Sequence, residues 1–168
     1  TDEKRGVLFV DLGNICRGPM AQSIFTYYIR QKKIEDKWFT DTCGTGDFHI
    51  GKEPDPRVVK VLNAKNVPVV PHKARLICDE DYTKFTWILA MDPFTLSQSE
   101  ELAAKNSTAK ILLLTSFIDN TAKIDDPFYE KAEDTFDKIY TTIYKCIEAF
   151  FEKQKPAAAA ATAAPATK

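Results

Sequence analysis

The order of apolar segments along the chain predicts an α/β domain, in which a parallel sheet is covered by helices on both faces. Four short runs rich in β-forming residues alternate with segments whose apolar residues recur at three- and four-residue spacing. The runs are almost continuously apolar, as expected for strands that are buried on both faces. A chain of 168 residues, 44% of them hydrophobic, is long enough for one such domain.

The first strand and the first helix are joined by a short polar segment. Residues 6–10 form the apolar run of the strand, and Pro19 stands where the first turn of a helix accepts proline. We name the joining segment, residues 11–19, the first loop. The helix is predicted from apolar residues that share one face: Met20, Ile24, Phe25, Tyr28 and Ile29.

The rest of the chain repeats this alternation and ends in a tail. Residues 1–155 are predicted to form a single domain, and its strands should place a ligand site at their common carboxyl edge. Residues 156–168 contain eight Ala and two Pro but no large apolar side chain, which predicts a disordered tail. Further strands are predicted over residues 38–43, 85–91 and 109–114, and further helices over residues 56–62, 93–105 and 136–151.

Composition excludes several classes of function. The 23 Lys and Arg residues are balanced by 24 Asp and Glu residues, so no bulk charge favours binding to nucleic acid. No apolar run approaches the roughly 20 residues of a membrane helix, and the polar start does not resemble a signal peptide, so a cytoplasmic protein is expected. Four Cys residues without a Cys-x-x-Cys pair predict buried free thiols rather than disulfides or a metal site.

The first loop has the composition of an anion-binding turn. It runs from a strand directly into a helix, so its backbone N–H groups can converge in front of the positive end of the helix. Gly13 and Asn14 tolerate the left-handed backbone of such a turn, and the planar guanidinium of Arg17 suits a phosphate group. From the residues alone, an ordinary strand-to-helix turn whose arginine pairs with a nearby carboxylate explains the loop equally well.

The first loop resembles the phosphate loop of the low-molecular-weight protein tyrosine phosphatases. That family carries the sequence Cys-Leu-Gly-Asn-Ile-Cys-Arg-Ser-Pro after its first strand, and residues 11–19 match it at seven of nine places. The resemblance implies a flavodoxin-like, doubly wound sheet of four parallel strands in a single domain. It also implies hydrolysis of phosphotyrosine through a phosphocysteine intermediate, without a metal or other cofactor. The similarity continues to about Lys153, through residues 44–47, 54–57, 72–75, 91–92 and 126–129.

Both mismatches lie at positions on which the chemistry of the family depends. Asp11 stands where the family has its nucleophilic cysteine, and Gly18 stands where it has the serine that supports the thiolate. Asp126 matches the acid that protonates the leaving group. Cys16 matches the second cysteine of the motif, but it directly precedes Arg17 and should point away from the line of attack. In the family this second cysteine can pair with the nucleophilic cysteine under oxidation, and because Asp11 stands in the place of that partner, the redox switch is expected to be lost.

Asp11 is predicted to be a poor substitute nucleophile. Enzymes that form an aspartyl phosphate recruit Mg²⁺ and further carboxylates to offset the repulsion between nucleophile and phosphate. Two like unit charges about 4 Å apart repel by roughly 4 kcal/mol at an effective dielectric constant near 20. We expect Asp11 to act instead as a resident anion, held by loop amides and paired with Arg17, that keeps the loop folded and weakens phosphate binding.

The resemblance assigns three further sets of residues. Backbone groups of the loop bind the ligand, aromatic side chains line an aryl-binding cleft, and polar side chains support the surrounding loops. His72 is expected to hydrogen-bond Asn14 and so to hold the backbone of the first loop. The three sets are Leu12, Gly13, Asn14, Ile15, Cys16 and Gly18; Phe48, Phe128 and Tyr129; and His72, Arg75 and Asp92.

The sequence therefore predicts a catalytically impaired homologue of this family, a binding or regulatory module that keeps the fold and the cleft. Its expected ligand is a phosphotyrosine protein or another group that carries an oxyanion. The alternative is an active phosphatase of the same family that hydrolyses aryl phosphate monoesters. A third interpretation, an arsenate-reductase-like activity, needs the same missing cysteine. The sequence does not predict an oligomeric state.

Overall fold

The computed structural model describes residues 4–119, 121–130 and 134–154 and has the predicted α/β architecture. The predicted tail, residues 156–168, lies outside the described residues. The strands are β1 (Arg5–Asp11), β2 (Trp38–Gly44), β3 (Trp87–Ala90) and β4 (Lys110–Leu113). The helices are α1 (Arg17–Gln31), α2 (Pro56–Ala64), α3 (Asp81–Lys84), α4 (Pro93–Glu101) and α5 (Thr135–Gln154), and a 3-10 turn spans Leu114–Phe117.

The elements differ from the predicted ones mainly in length. Helix α4 ends at Glu101 rather than at residue 105, and β3 is confined to four residues. The short helix α3 and the 3-10 turn were not predicted, because a four-residue element is too short to show a periodic pattern. Within the described ranges, no helix is both long and apolar enough to cross a membrane.

The four strands form one parallel sheet in the order β2-β1-β3-β4. The chain thus winds outward from β1 in both directions, which makes the sheet doubly wound and places the topological switch point beside β1. The strand register sets Asp11 beside Gly44 of β2 and Val10 beside Ala90 of β3. The carboxyl end of β1 is therefore enclosed by its two neighbours.

Helices cover both faces of the sheet, and β1 is buried on each side. Val7 and Phe9 belong to a core that includes residues of α1, α2 and α5. Leu8 and Val10 belong to a second core, on the opposite face, that includes Tyr82 of α3. This double burial is why the strand is continuously apolar.

The cysteines are free, and one of them differs from the prediction. Cys16, Cys43 and Cys146 are buried, whereas Cys78 is exposed. Cys78 lies in the surface loop before α3, where its backbone N–H donates to the carboxylate of Asp81 at 2.9 Å. The prediction of a buried thiol is therefore wrong for Cys78.

Candidate functional site

The candidate site lies at the carboxyl end of β1, in the first loop. Asp11 is the last residue of β1 and is only 2% exposed. Its Oδ2 accepts a 2.8 Å hydrogen bond from the backbone N–H of Gly18, the second residue of α1. Cys16, at the N-cap position, makes no side-chain capping bond, so Asp11 supplies an acceptor for this helix end. In the described part of the chain, no hydrogen bond of ordinary geometry reaches Oδ1 of Asp11, although the backbone N–H of Asn14 is close enough to lower the pKa of the carboxyl.

Burial dominates the ionisation of Asp11. Removal from water raises the pKa of this carboxyl from 3.8 to about 6, although Arg17 and the amides of Gly18 and Asn14 act to lower it. The nearby carboxyl of Asp126 adds to the increase. Asp11 is thus mostly ionised at neutral pH, but its surroundings disfavour the charge. Asp11 is therefore an anion at neutral pH, as expected, but burial makes its charged form less stable than it is in water.

The guanidinium of Arg17 is held by other partners. Arg17 is 1% exposed, and its Nη1 donates to Asp92 Oδ2 at 2.6 Å and to the carbonyl of Ile124 at 2.9 Å. Its Nη2 lies 3.7 Å from Asp126 Oδ2. The predicted ion pair with Asp11 is wrong: none joins these two residues among those described, and Arg17 acts on Asp11 only through space. Pairing with a different nearby carboxylate is what the simpler interpretation of the loop expected.

Asn14 fixes the sharp bend of the loop. Its φ is 60°, whereas Gly13, the other candidate for a left-handed conformation, has no positive φ. The Oδ1 of Asn14 accepts from the backbone N–H of Arg75 at 3.1 Å and lies 2.7 Å from Nε2 of His72, and its Nδ2 donates to Thr42 Oγ1 at 2.9 Å. Burial lowers the pKa of His72, so its neutral ring donates from Nε2 to the amide oxygen. These bonds hold a backbone conformation that is otherwise unfavourable.

Thr42 of β2 fills the space beside Gly18. Besides accepting from Asn14, its hydroxyl donates to the carbonyl of Phe9 at 2.8 Å. A Cβ at position 18 would overlap Thr42 Oγ1 and lie 3.1 Å from Asn14 Nδ2. A serine at this position, as in the family motif, therefore requires a change at Thr42.

A cleft of about 300 Å³ opens above the first loop. Phe48 is 66% exposed and Tyr129 is 88% exposed, so both aromatic faces are available to a ligand rather than packed in the core. Gly18 and Arg17 are not among the residues that line the cleft. The lining residues are Asp11, Leu12, Gly13, Asn14, Ile15, Cys16, Phe48, His49, Asp126, Phe128 and Tyr129. The fold thus brings together most of the predicted loop residues and all three predicted aromatic residues.

Arg57 holds the loop of residues 126–130, which carries Asp126 and forms the aromatic wall of the cleft. The guanidinium of Arg57 donates to the carbonyls of Phe128 at 2.9 Å and Glu130 at 3.0 Å, and it is paired with Asp55 at 2.8 Å. The Oδ1 of Asp126 accepts from the backbone N–H of Phe128 at 3.1 Å. The local turn and a distant arginine therefore set the position of the aromatic wall.

Asp92 and Arg75 connect the loops at this edge of the sheet. Asp92 caps α4 through a reciprocal pair of hydrogen bonds with Thr95, and it also receives Nη1 of Arg17. Burial raises the pKa of Asp92, but the hydrogen bonds from Arg17 and Thr95 outweigh burial and leave the pKa below its usual value. Arg75 bridges the carboxylates of Asp41 at 3.1 Å and Asp81 at 3.0 Å.

Cys16 is unsuited to act as a nucleophile. It lines the cleft but is 4% exposed. Burial and the carboxylates of Asp55, Asp11 and Asp126 raise the pKa of its thiol far above the usual value, so the thiolate is absent near neutral pH. Among the described residues, no cluster of His, Cys, Asp and Glu could hold a metal ion.

The sequence analysis gave no individual role to Thr42, His49 or Arg57, although the resemblance implies that residues 47–50, which include His49, form a wall of the pocket. His49 packs against Phe128 with ring centroids 4.9 Å apart. Its position directly after Phe48 in the sequence was a signal that could have identified it. Arg57 lies within residues 54–57, one of the segments in which the chain resembles the family. Nothing near Thr42 in the sequence connects it with the first loop, because the sheet register alone brings the two together.

Fold and site define a doubly wound α/β protein whose first loop joins β1 to α1 and lies at the floor of a cleft, with Asp11 at its start. A sequence model described as "Low molecular weight phosphotyrosine protein phosphatase" matches residues 6–159. The chain belongs to this family.

Individual relatives are similar in sequence to this protein over most of its length. It is 38% identical over 152 residues to the low molecular weight phosphotyrosine protein phosphatase of Sus scrofa, which covers 89% of this chain and 95% of the relative. It is 40% identical over 126 residues to the Schizosaccharomyces pombe protein of the same name, covering 73% and 80%. Among solved structures, the Drosophila arginine phosphatase DARP superposes with a TM-score of 0.84 at 32% identity, covering 89% of this chain and 97% of that one.

Proposed function

We propose that this protein is a non-catalytic member of its phosphatase family, which keeps the loop and the cleft as a binding site. The observation that carries the proposal is the side chain at the nucleophile position. Asp11 is a carboxylate, 2% exposed, with one oxygen bonded to the N–H of Gly18. Phosphocysteine chemistry needs a thiolate at this place.

The remaining parts of the site do not compensate for the missing sulfur. One nitrogen of the guanidinium that would clamp a phosphate, Nη1 of Arg17, is bonded to Asp92 and Ile124. Asp126 can act as a general acid only when a bond to a leaving group is breaking. The Cys16 thiol is buried, and its raised pKa keeps it protonated. Catalysis is therefore expected to be lost at the first chemical step.

The cleft supports the binding role. Exposed aromatic faces on two sides and a loop at the floor suit an aryl group attached to an oxyanion. We propose a phosphotyrosine-bearing protein as partner and the cytoplasm as its location. Because a similar structure is named an arginine phosphatase, phosphorylated arginine should be tested beside phosphotyrosine.

An activity assay tests the proposal directly. Hydrolysis of an aryl phosphate is measured between pH 5 and 7, with and without Mg²⁺, and no turnover above background is expected. Turnover at roughly 1 to 10³ per second, or a phosphorylated Asp11 trapped during the reaction, would establish the alternative of an active enzyme.

A rescue experiment tests whether only the nucleophile has been lost. Because a serine at position 18 overlaps Thr42, the variant combines Asp11→Cys and Gly18→Ser with Thr42→Ala. This chain should gain turnover if the rest of the site is intact. Thr42→Ala alone serves as the matched control and should stay inactive. Retained binding of a phosphotyrosine peptide by the unaltered protein, lost in Phe48→Ala, supports the binding role.

A further inference from the structure

Within the described ranges, three buried polar atoms of the site lack a hydrogen-bond partner: Nδ1 of His49 and two atoms of opposite kind. Among the described residues, Asp11 Oδ1 is an unpartnered acceptor and Arg17 Nε is an unpartnered donor. Their residues are 2% and 1% exposed, so bulk water does not replace the missing partners. Arg17 is the strongest charge that acts on Asp11, yet no ion pair joins them within the described ranges. A group seated on the first loop could satisfy both atoms.

We propose that the first loop accepts oxyanions that still carry a proton, such as the monoanion of a phosphate monoester, and disfavours those that carry none. An unprotonated oxygen of this ligand accepts from Arg17 Nε and from loop amides. Its hydroxyl donates to Asp11 Oδ1. The inference rests on the proposed function, since it names the ligand of a site that binds without turnover.

Other ligand classes satisfy only one of the two atoms. A fully deprotonated oxyanion offers acceptors alone and sets a lone pair against the Asp11 carboxylate. A cation offers donors alone, so it leaves Arg17 Nε without a partner. An oxyanion with one hydroxyl carries both an acceptor and a donor, so it is the class of ligand that can satisfy both atoms.

The charged and titratable groups around Asp11 come from several elements. Arg17 in α1 and Asp126 in the loop before α5 act on Asp11 with opposite sign. The thiols of Cys16 and of Cys43 in β2 are also within electrostatic range, but burial raises their pKa values and keeps them neutral. The shared proton is therefore held by Asp11 or by the ligand.

Two small anions separate this inference from simple charge repulsion. Methylphosphonate monoanion and methanesulfonate have the same shape and the same charge, and they differ by one hydroxyl proton. Neither can be hydrolysed as an ester, so binding is measured apart from turnover. His49 also lines the cleft with an Nδ1 that is unpartnered within the described ranges, so the Asp11→Asn variant decides which of the two side chains distinguishes the ligands.

Binding is followed by NMR titration of the full chain, with affinities expressed per concentration of monoanion. At pH 7, one unit above the pKa of Asp11, methylphosphonate should bind at least about tenfold more tightly than methanesulfonate. At pH 5 the difference should disappear, because protonated Asp11 then supplies the donor. Equal affinities at pH 7, or no binding of either anion between pH 5 and 7, would overturn the inference.

Two variants complete the test. The side-chain amide of Asp11→Asn can donate to a sulfonate, so this variant should lose the preference at pH 7. Asp126→Asn removes the same charge from the cleft and should keep the preference. If Asp11→Asn does not fold, the comparison of the unaltered protein at pH 5 and pH 7 still tests the inference. Turnover of an aryl phosphate would reject the proposed function without altering this preference.

Discussion

Replacing Asp11 by Asn should make the protein more stable at neutral pH but not in acid. The Asn side chain has nearly the same shape, and its oxygen can still accept the hydrogen bond from the N–H of Gly18. What the substitution removes is the ionisation of a buried carboxyl. The effect of pH on the two proteins therefore isolates the free energy of charging Asp11.

The sign and size follow from the two pKa values. In the unfolded chain the carboxyl ionises near 3.8, and in the folded protein burial raises its pKa to about 6. Between these values the folded state binds more protons than the unfolded state, so stability falls as pH rises. The loss saturates above pH 6 at about 3 kcal/mol, from a shift of roughly two pKa units at 1.36 kcal/mol each.

The assay is urea unfolding of both proteins followed by circular dichroism at several pH values from 4 to 7.5. The difference in free energy of unfolding, variant minus wild type, should grow by about 2.4 kcal/mol over this range, because about 0.6 kcal/mol of the effect is already present at pH 4. Exposed Glu35 provides the control, because Glu35→Gln makes the same chemical change in water and should shift stability by less than about 0.5 kcal/mol at any pH. A pH-independent difference, or one of opposite sign, would refute the argument that burial outweighs Arg17 and the loop amides.

Three further predictions concern packing and reactivity. Gly18→Ser should destabilise the fold by about 1–3 kcal/mol, because the new side chain overlaps Thr42. In urea unfolding, adding Thr42→Ala to this variant should restore at least about 1 kcal/mol. Strictly additive losses from the two substitutions would contradict the overlap. Asn14→Ala should cost about 1 kcal/mol more than Asn14→Gly, because only glycine adopts a φ of 60° without strain; the reverse order would show that the loop relaxes. Iodoacetamide should modify exposed Cys78 and spare buried Cys16, as judged by mass spectrometry, and comparable labelling of both would mean that the loop opens readily.

Much of the fold was predictable because the signals are local. The apolar run of residues 6–10 is continuous because both faces of β1 are buried, and this property is visible in the sequence itself. Pro19 and the apolar face of α1 likewise mark a helix over neighbouring residues. Short elements such as α3 escaped prediction, since four residues cannot show a period.

The candidate site was predictable in composition but not in connectivity. The motif places Asp11 and Arg17 in one loop, and it suggested that they pair. The guanidinium instead bonds Asp92, which lies 75 residues further along the chain and reaches the site from the end of β3. Which of several carboxylates an arginine contacts depends on where distant strands end, and the sequence motif does not contain that information.

The sequence alone determined the parallel α/β fold and the presence of an aspartate at the start of the first loop, because both depend on residue types and their spacing along the chain. Only the tertiary structure decided that this aspartate is buried with one oxygen unpartnered, and that Thr42 occupies the space a serine at position 18 would need. The physical reason is that desolvation and close packing are set by atoms from strands and helices far apart in sequence, which meet only when the sheet has formed.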